Sequence, residues 1–269
     1  MTRGSCSTEP VASAPVTDSF PPAFVRLAAH PLRWQILTTL AQSDMRVSEL
    51  SVRLGLRQSL TSYHLRQLRD EQLVSARRSS FDGRDVYYTL DPARCRKLLD
   101  DSAAMLHPAF RRPSAGRARA PRRRHTAILF LCTGNSARSQ LAEVLARQLG
   151  GPGVAAASAG SNPKPLHPNT LRVMRERGLA TDELRSKHLD EFTARRFDHV
   201  ITLCDRVREV CPEFPGRPNH PHWSIPDPAR AGSTDEETYP AFERVAEELE
   251  RRIDALLAWI DEQPLMGAA

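Results

Sequence analysis

The chain has 269 residues, which exceeds one typical domain of about 100 to 200 residues and makes two domains the expectation. Its 40 % hydrophobic and 26 % charged residues exclude a fully disordered, collagen-like or fibrous chain. No run approaches the ~18 to 20 apolar residues of a membrane span, and the first thirty residues lack the apolar core of a secretory signal. A cytoplasmic protein without membrane contact is expected. Five cysteines in so long a chain are not a disulfide scaffold, and in a reducing compartment they point to catalytic, redox or metal-binding thiols.

The net charge of +6 is unevenly spread. Residues 1–106 carry +3, residues 107–125 (HPAFRRPSAGRARAPRRRH) carry +7 with no acid, and residues 126–269 carry −4. The expected organisation is therefore a small, polar, disordered tail at 1–19, a folded unit at 20–106, an extended Arg/Pro-rich linker at 107–125 and a second folded unit at 126–265. The linker reads either as a solvated spacer or as an electrostatic arm for phosphates. No internal repeat is present.

In chain order, Leu27, Ile36, Leu37 and Leu40 fall at helical spacing, and His30-Pro31 starts a second helix. Val47, Leu50 and Leu54 predict a third helix from near Ser48, closed by a turn at Gly55. From Ser59, an N-cap candidate, Leu60, Tyr63, Leu65 and Leu68 are expected to face inward. Thr61, Ser62, His64, Arg66 and Gln67 are then outward, a composition suited to base edges, with Arg57 and Gln58 at the entry for phosphates. LVSARRSS, the Asp82-Gly83 turn signal and RDVYYTL then alternate as a hairpin, on which Arg77, Arg78 and Arg84 place positive charge for DNA. The expected fold is a winged helix-turn-helix, mainly α with a β-hairpin wing.

HPLRWQIL, VSELSVRLGLRQSLTSYHLRQLRDEQLV and the terminal VYYTL together resemble the arsenical and metal-responsive repressor family of winged-helix regulators. That resemblance implies operator DNA as partner and a homodimer paired through the N-terminal domain. It departs at the sensor, because Val47, Ser48, Glu49, Leu50 and Ser51 include no cysteine. Cys6 and Cys95 are the thiols left in this half, and with soft ligands required for arsenite they form a site only by pooling across a dimer or recruiting another ligand. Their other reading is a small core residue and an idle tail thiol.

In the second half, AILFL at 127–131 predicts a buried parallel strand leading into Cys132-Thr133-Gly134-Asn135-Ser136-Ala137-Arg138-Ser139 and a helix bearing Leu141, Val144, Leu145 and Leu149. A strand-to-helix turn with free backbone N–H groups favours anions and can lower a thiol pKa. Arg138 can grip two oxygens of a tetrahedral oxyanion, Ser139 can donate to the thiolate, Asn135 can brace the loop, and Thr133, Gly134, Ser136 and Ala137 complete the cradle. Asp227, in HWSIPDPA, reads as a general acid or as a turn-forming Asp-Pro. Cys204 and Cys211 follow the apolar strand DHVITL. The expected fold is α/β, a parallel sheet flanked by helices.

These motifs, over residues 126 to about 262, resemble the low-molecular-weight protein tyrosine phosphatase family and its thioredoxin-coupled arsenate reductase branch. The resemblance implies Cys132 as nucleophile, Arg138 as oxyanion-binding arginine, Ser139 and Asn135 as thiolate and loop supports, Asp227 as general acid, and Cys204 and Cys211 as relay thiols. It also implies arsenate as substrate and thioredoxin or a low-molecular-weight thiol such as mycothiol as reductant, with no tightly bound cofactor. Two departures stand out. Lys187 occupies the place of an acidic residue that helps hold a monovalent cation in some reductases, so its ammonium can stand for that cation. Ala229 follows Asp227-Pro228 where the phosphatase branch has tyrosine. The alternatives are a plain phosphatase and a regulator whose second half is a non-catalytic oxyanion or redox sensor. A Cys204, Cys211, His220, His222 zinc site is a further alternative with poor spacing.

Overall fold

The computed structural model describes residues 21–79, 81, 83–107, 125–181 and 184–262. The expected tail with Cys6 and all but the ends of the expected linker lie outside the described residues. The described chain forms two hydrophobic cores, one built from Phe24, Ile36, Leu37, Leu40, Leu50, Leu65, Leu68 and neighbours, the other around residues 128–131 and the terminal helix.

The first unit runs α1 (Ala23–Ala28), α2 (Pro31–Leu40), β1 (Met45–Arg46), α3 (Val47–Leu54), α4 (Gln58–Asp70), β2 (Val74–Arg78), β3 (Val86–Leu90) and α5 (Pro92–Leu106). The His30 side chain accepts the Leu32 N–H and Pro31 opens α2, as a helix start prefers. Gly55, at φ 65°, closes α3 in the left-handed conformation that glycine adopts without strain. The strands pair antiparallel in the order β1-β3-β2, with Ala76 opposite Tyr88. The wing is longer-tipped than the Asp82-Gly83 signal predicted. Its strands stop at Arg78 and resume at Val86, and Ser79 N–H donates to Asp85 O across the neck.

The second unit comprises β4 (Thr126–Cys132), α6 (Arg138–Gly150), β5 (Val154–Gly160), α7 (Pro168–Glu176), β6 (His199–Thr202), α8 (Asp205–Glu209) and α9 (Asp235–Glu262). The sheet is parallel, in the order β5-β4-β6, and the 219–222 segment bridges the outer edge of β6 at His199↔Asn219 and Thr202↔His222. β4 is buried on both faces, which is why its sequence is a continuous apolar run. α6 and α9 cover it, α9 through Phe242, Val245, Leu249, Ile253, Leu257 and Ile260.

The two units meet along that sheet edge. Asp44 N–H donates to His222 O at 2.8 Å, His222 N–H to Ser43 Oγ at 2.8 Å and Ser224 N–H to Asp44 Oδ2 at 2.8 Å. The first unit thus caps an edge that would otherwise present unpaired backbone groups. The Asp44 carboxylate, 3 % exposed, also holds the guanidinium of Arg252 at 3.1 Å. Arg208 pairs with Glu49 at 2.8 Å and lies over the ring of Tyr87, and Tyr87 stacks on His222 at 4.9 Å.

Candidate active site

Parallel strands end together, so the carboxyl ends of β4, β5 and β6 bring distant residues to one place. Cys132 closes β4 opposite Gly160 of β5, and Cys204 follows β6 by two residues. Between Cys132 and α6 the chain turns through Asn135 at φ 43°, a left-handed conformation that asparagine tolerates better than most residues. Cys132 Sγ accepts the Asn135 backbone N–H at 3.2 Å and lies 3.0 Å from Ser139 Oγ. Asn135 Nδ2 donates to Ser139 Oγ and to Ser158 Oγ, both at 2.8 Å, and Asn135 Oδ1 accepts the Lys187 N–H at 2.7 Å. The loop is therefore tied down from behind.

Arg138, 6 % exposed, opens α6. Its Nη1 donates to Ile225 O at 3.0 Å and its Nη2 lies 3.1 Å from Asp227 Oδ2, while its buried Nε has no hydrogen-bond partner among the described residues. Burial alone would weaken its proton affinity, but Cys204, Cys132 and Asp227 outweigh it and raise the pKa above the usual arginine value. Three of the five N–H donors of a planar, permanently charged fork, the Nε one among them, are thus left for an oxyanion. Asp227 caps a short 3-10 turn, Pro228–Arg230.

Cys132, Thr133, Gly134, Ser136, Ala137, Arg138, Cys204 and Asp227 line one cavity of about 530 Å³. Cys204 Sγ lies 3.3 Å from Thr133 Oγ1, and the thiol pKa is raised by burial, against the pull of Arg138. Cys211 stands on the far side of α8, half-buried, with its thiol pushed up to about 11 by burial. The segment between the two thiols is helical from Asp205 to Glu209.

Several supports were missed from the sequence. Glu143 Oε2 receives both the Lys187 ammonium at 2.9 Å and the Ser158 hydroxyl, so the cation expected from Lys187 sits directly behind Asn135. Gln140 Nε2 donates to Asn135 O and Oδ1. A Cβ on Gly160 would stand 2.6 Å from Thr133 O, so only glycine fits; its place at a strand end was the available signal. Glu143 is an acid on the buried face of α6, and nothing in the sequence pairs it with Lys187.

On the first unit, Arg57, Gln58, Ser59 and Arg66 are exposed and Ser62 is half-exposed. Three expectations need correction. The recognition-type helix starts at Gln58 with Arg57 as its N-cap, so Ser59 lies inside it. Thr61 and His64 face inward, whereas Leu60 and Tyr63 are 40 % and 52 % exposed. Positions 61, 64, 65 and 68 form the true helical stripe, and both polar members find partners inside: Thr61 lies 3.0 Å from Ser51 Oγ, and His64 stacks on His30 at 4.6 Å. Finally, Arg77 is half-buried beside Glu248, Asp44, Arg252 and Asp205, while Arg78 and Arg84 remain exposed.

Cys95 packs against the first core, its thiol pushed up to about 11 by burial and by Asp91. Among the described residues no group of three or more His, Cys, Asp or Glu is placed to hold a metal ion, so the zinc alternative is not assembled. His222 instead bonds Thr202 Oγ1 and Asp205 Oδ1. No described helix is long and apolar enough to cross a membrane.

Comparison with known proteins agrees with this division. Residues 127–265 match the family profile described as low molecular weight phosphotyrosine protein phosphatase, and residues 30–76 match that of the bacterial regulatory proteins of the arsR family. Similar proteins include an arsenate reductase of Halalkalibacterium halodurans, 40 % identical over 126 residues, and an arsenate reductase of Bacillus subtilis, also 40 % identical. Each match covers 47 % of this chain and 91 % of the relative. Among solved structures, the arsenate reductase of Archaeoglobus fulgidus is 29 % identical with a TM-score of 0.41, covering 49 % of this chain and 98 % of that one. The chain belongs to the low-molecular-weight phosphotyrosine protein phosphatase family and carries an arsR-family helix-turn-helix domain at its N-terminus.

Proposed function

We propose that the chain is a bifunctional arsenic-resistance protein, a DNA-binding regulator whose second domain reduces arsenate to arsenite. The observation that carries the reading is a second buried thiol, Cys204, lining the same cavity as Cys132, Arg138 and Asp227. A hydrolytic phosphatase has no use for it. The relatives named arsenate reductase add support.

In the proposed reaction, the arsenate oxyanion is held by Arg138 and the loop amides of residues 133–137. The Cys132 thiolate forms a sulfur–arsenic bond while Asp227 protonates the departing oxygen, which leaves as water. Cys204 thiolate then attacks Cys132 sulfur. The sulfur–arsenic bonding pair stays with arsenic, which leaves as arsenite two electrons richer, and a Cys132–Cys204 disulfide remains. Cys211 attacks Cys204, frees Cys132, and leaves a Cys204–Cys211 disulfide for thioredoxin or a small thiol. Arg57, Gln58, Ser59, Ser62, Arg66, Arg78 and Arg84 are the proposed DNA contacts, in a cytoplasmic homodimer joined through the first domain, with domain limits at 20–106 and 126–265. Cys6 and Cys95 have no assigned sensor role.

A single-turnover experiment tests the chemistry. Fully reduced protein mixed with arsenate, without reductant, should release one equivalent of arsenite and lose two thiols, traced by alkylation to Cys204 and Cys211. Hydrolysis of p-nitrophenyl phosphate with no arsenite released would make the domain a phosphatase; neither activity would leave a sensor.

A further inference from the structure

The first domain holds no described cysteine cluster that could sense arsenite, yet it is clamped to the second domain beside the relay thiols. Cys204 is the N-cap residue of α8, and its carbonyl accepts the Arg208 N–H that closes the first turn. Three of the five residues of α8, Asp205, Arg206 and Arg208, contact the wing or the residues it rests on. Arg208 pairs with Glu49 at 2.8 Å and 3.3 Å and lies over Tyr87 of β3; Arg206 lies over Phe81 at the wing tip. Asp205 Oδ1 accepts the Ser224 hydroxyl at 2.7 Å and bonds the ring of His222, the residue on which Tyr87 stacks. Phe81 also lines the catalytic cavity, and Arg77 of the wing sits half-buried in the field of Glu248, Asp44 and Asp205.

We propose that Cys204 and Cys211 are the sensor of the DNA-binding domain: forming their disulfide dismantles α8 and releases the wing from the reductase domain. From its N-cap Cys204 to its C-cap Val210, α8 spans roughly 9 Å at ~1.5 Å per residue, and Cys211 stands one residue beyond. A disulfide needs its Cα atoms within about 7 Å, so the bridge cannot close over intact α8. Unwinding α8 moves Arg206 and Arg208 off Phe81, Tyr87 and Glu49 and loosens Asp205 from His222. The wing that walled the cavity is then free, and Arg77 leaves its acidic neighbours for solvent or phosphate. The inference rests on the relay proposed above only for its physiological oxidant. The step itself takes two electrons and two protons from two thiols, which arsenate accepts through Cys132, or which an azodicarboxamide such as diamide accepts in a test.

The test uses full-length Cys132→Ser protein, so that the arsenate chemistry is silenced and the Cys204–Cys211 pair stands alone in its domain. The readout is hydrogen exchange at the Asp44, His222 and Ser224 amides, which bond across the seam and lie outside α8. Diamide is expected to raise their exchange at least tenfold, and to tighten binding of a fluorescent duplex of unrelated sequence several-fold at low salt as Arg77 is exposed. Cys132→Ser/Cys211→Ser protein should show neither change. Disulfide formation with unchanged seam exchange, unchanged duplex affinity, or thiols that diamide fails to pair would each overturn the proposal. In wild-type protein, arsenate should reproduce the exchange; if diamide opens the seam and arsenate does not, the sensor stands and the reductase reading fails.

Discussion

Gly160→Ala isolates the contact on which the oxyanion loop is built. The added Cβ would lie 2.6 Å from Thr133 O and 2.9 Å from Asn135 N, whereas real Cβ contacts stay above 3.0 Å. Both clashing atoms are backbone, so the loop must retreat by at least 0.4 Å with no flexible side chain to absorb the shift. β5 cannot retreat instead, because its register with β4 is fixed from Val154 to Gly160 and Gly160 N–H is bonded to Lys187 O at 2.9 Å. Overpacking of this kind costs about 1 to 3 kcal/mol of stability, and misplacing a catalytic group by ~1 Å costs about 100-fold in rate. A shift of roughly half that distance predicts a loss on the order of tenfold in phosphate affinity and in turnover. Isothermal titration with inorganic phosphate measures the affinity, and a thermal melt beside it measures the stability cost. Wild-type phosphate affinity in a Gly160→Ala protein of lowered melting temperature would refute the claim that Gly160 positions the loop.

Other consequences follow from the buried charges and thiols. Asp44→Ala takes from the buried Arg252 guanidinium one of its two acidic partners among the described residues, leaving Glu248, and should cost about 3 kcal/mol in urea unfolding with loss of seam protection. Lys187→Ala removes the ammonium behind Asn135 but leaves Glu143 its Arg147 and Ser158 partners, so it should cost less than Asp44→Ala; if that ammonium stands for a monovalent cation, added potassium should restore phosphate affinity in the variant and leave wild type unchanged. The Cys211 and Cys95 thiols, each pushed up to about 11, should resist iodoacetamide in native protein until pH passes about 10, while the denatured chain reacts near pH 8.5. Because both pKa values are raised on folding, their stabilising contribution is complete below about pH 9 and should fade as pH rises from 9 to 11, a decline that Cys95→Ala reduces.

The residues legible from the sequence are those whose chemistry is local. Cys132 to Ser139 lie on one strand-to-helix turn, so spacing alone implies a thiol beside a guanidinium. Cys204 was identifiable because a parallel sheet delivers strand ends to one place, and Asp227 because it sits on a Pro-flanked loop that also reads as a turn. The recognition-type helix was misphased for a physical reason. Leu60 and Tyr63 outrank Thr61 and His64 in hydropathy, but the Thr61 hydroxyl is bonded to Ser51, and the His64 ring packs on His30 although its buried Nδ1 has no hydrogen-bond partner among the described residues. The Asp44–Arg252 and Glu49–Arg208 pairs join residues 208 and 159 positions apart, and no periodicity reports such a pairing. The same blindness hid the docking of Arg77, which looks in sequence like any wing arginine and in the structure is half-buried within the field of Glu248, Asp44 and Arg252.

The most direct test of the account is arsenate-dependent NADPH oxidation with thioredoxin and its reductase, comparing wild type with Cys132→Ser and Cys211→Ser. The account predicts steady turnover in the wild type and none in either variant, while Cys211→Ser, unlike Cys132→Ser, still releases one equivalent of arsenite. Turnover that persists without Cys132, or that proceeds at the wild-type rate without Cys211, would contradict it.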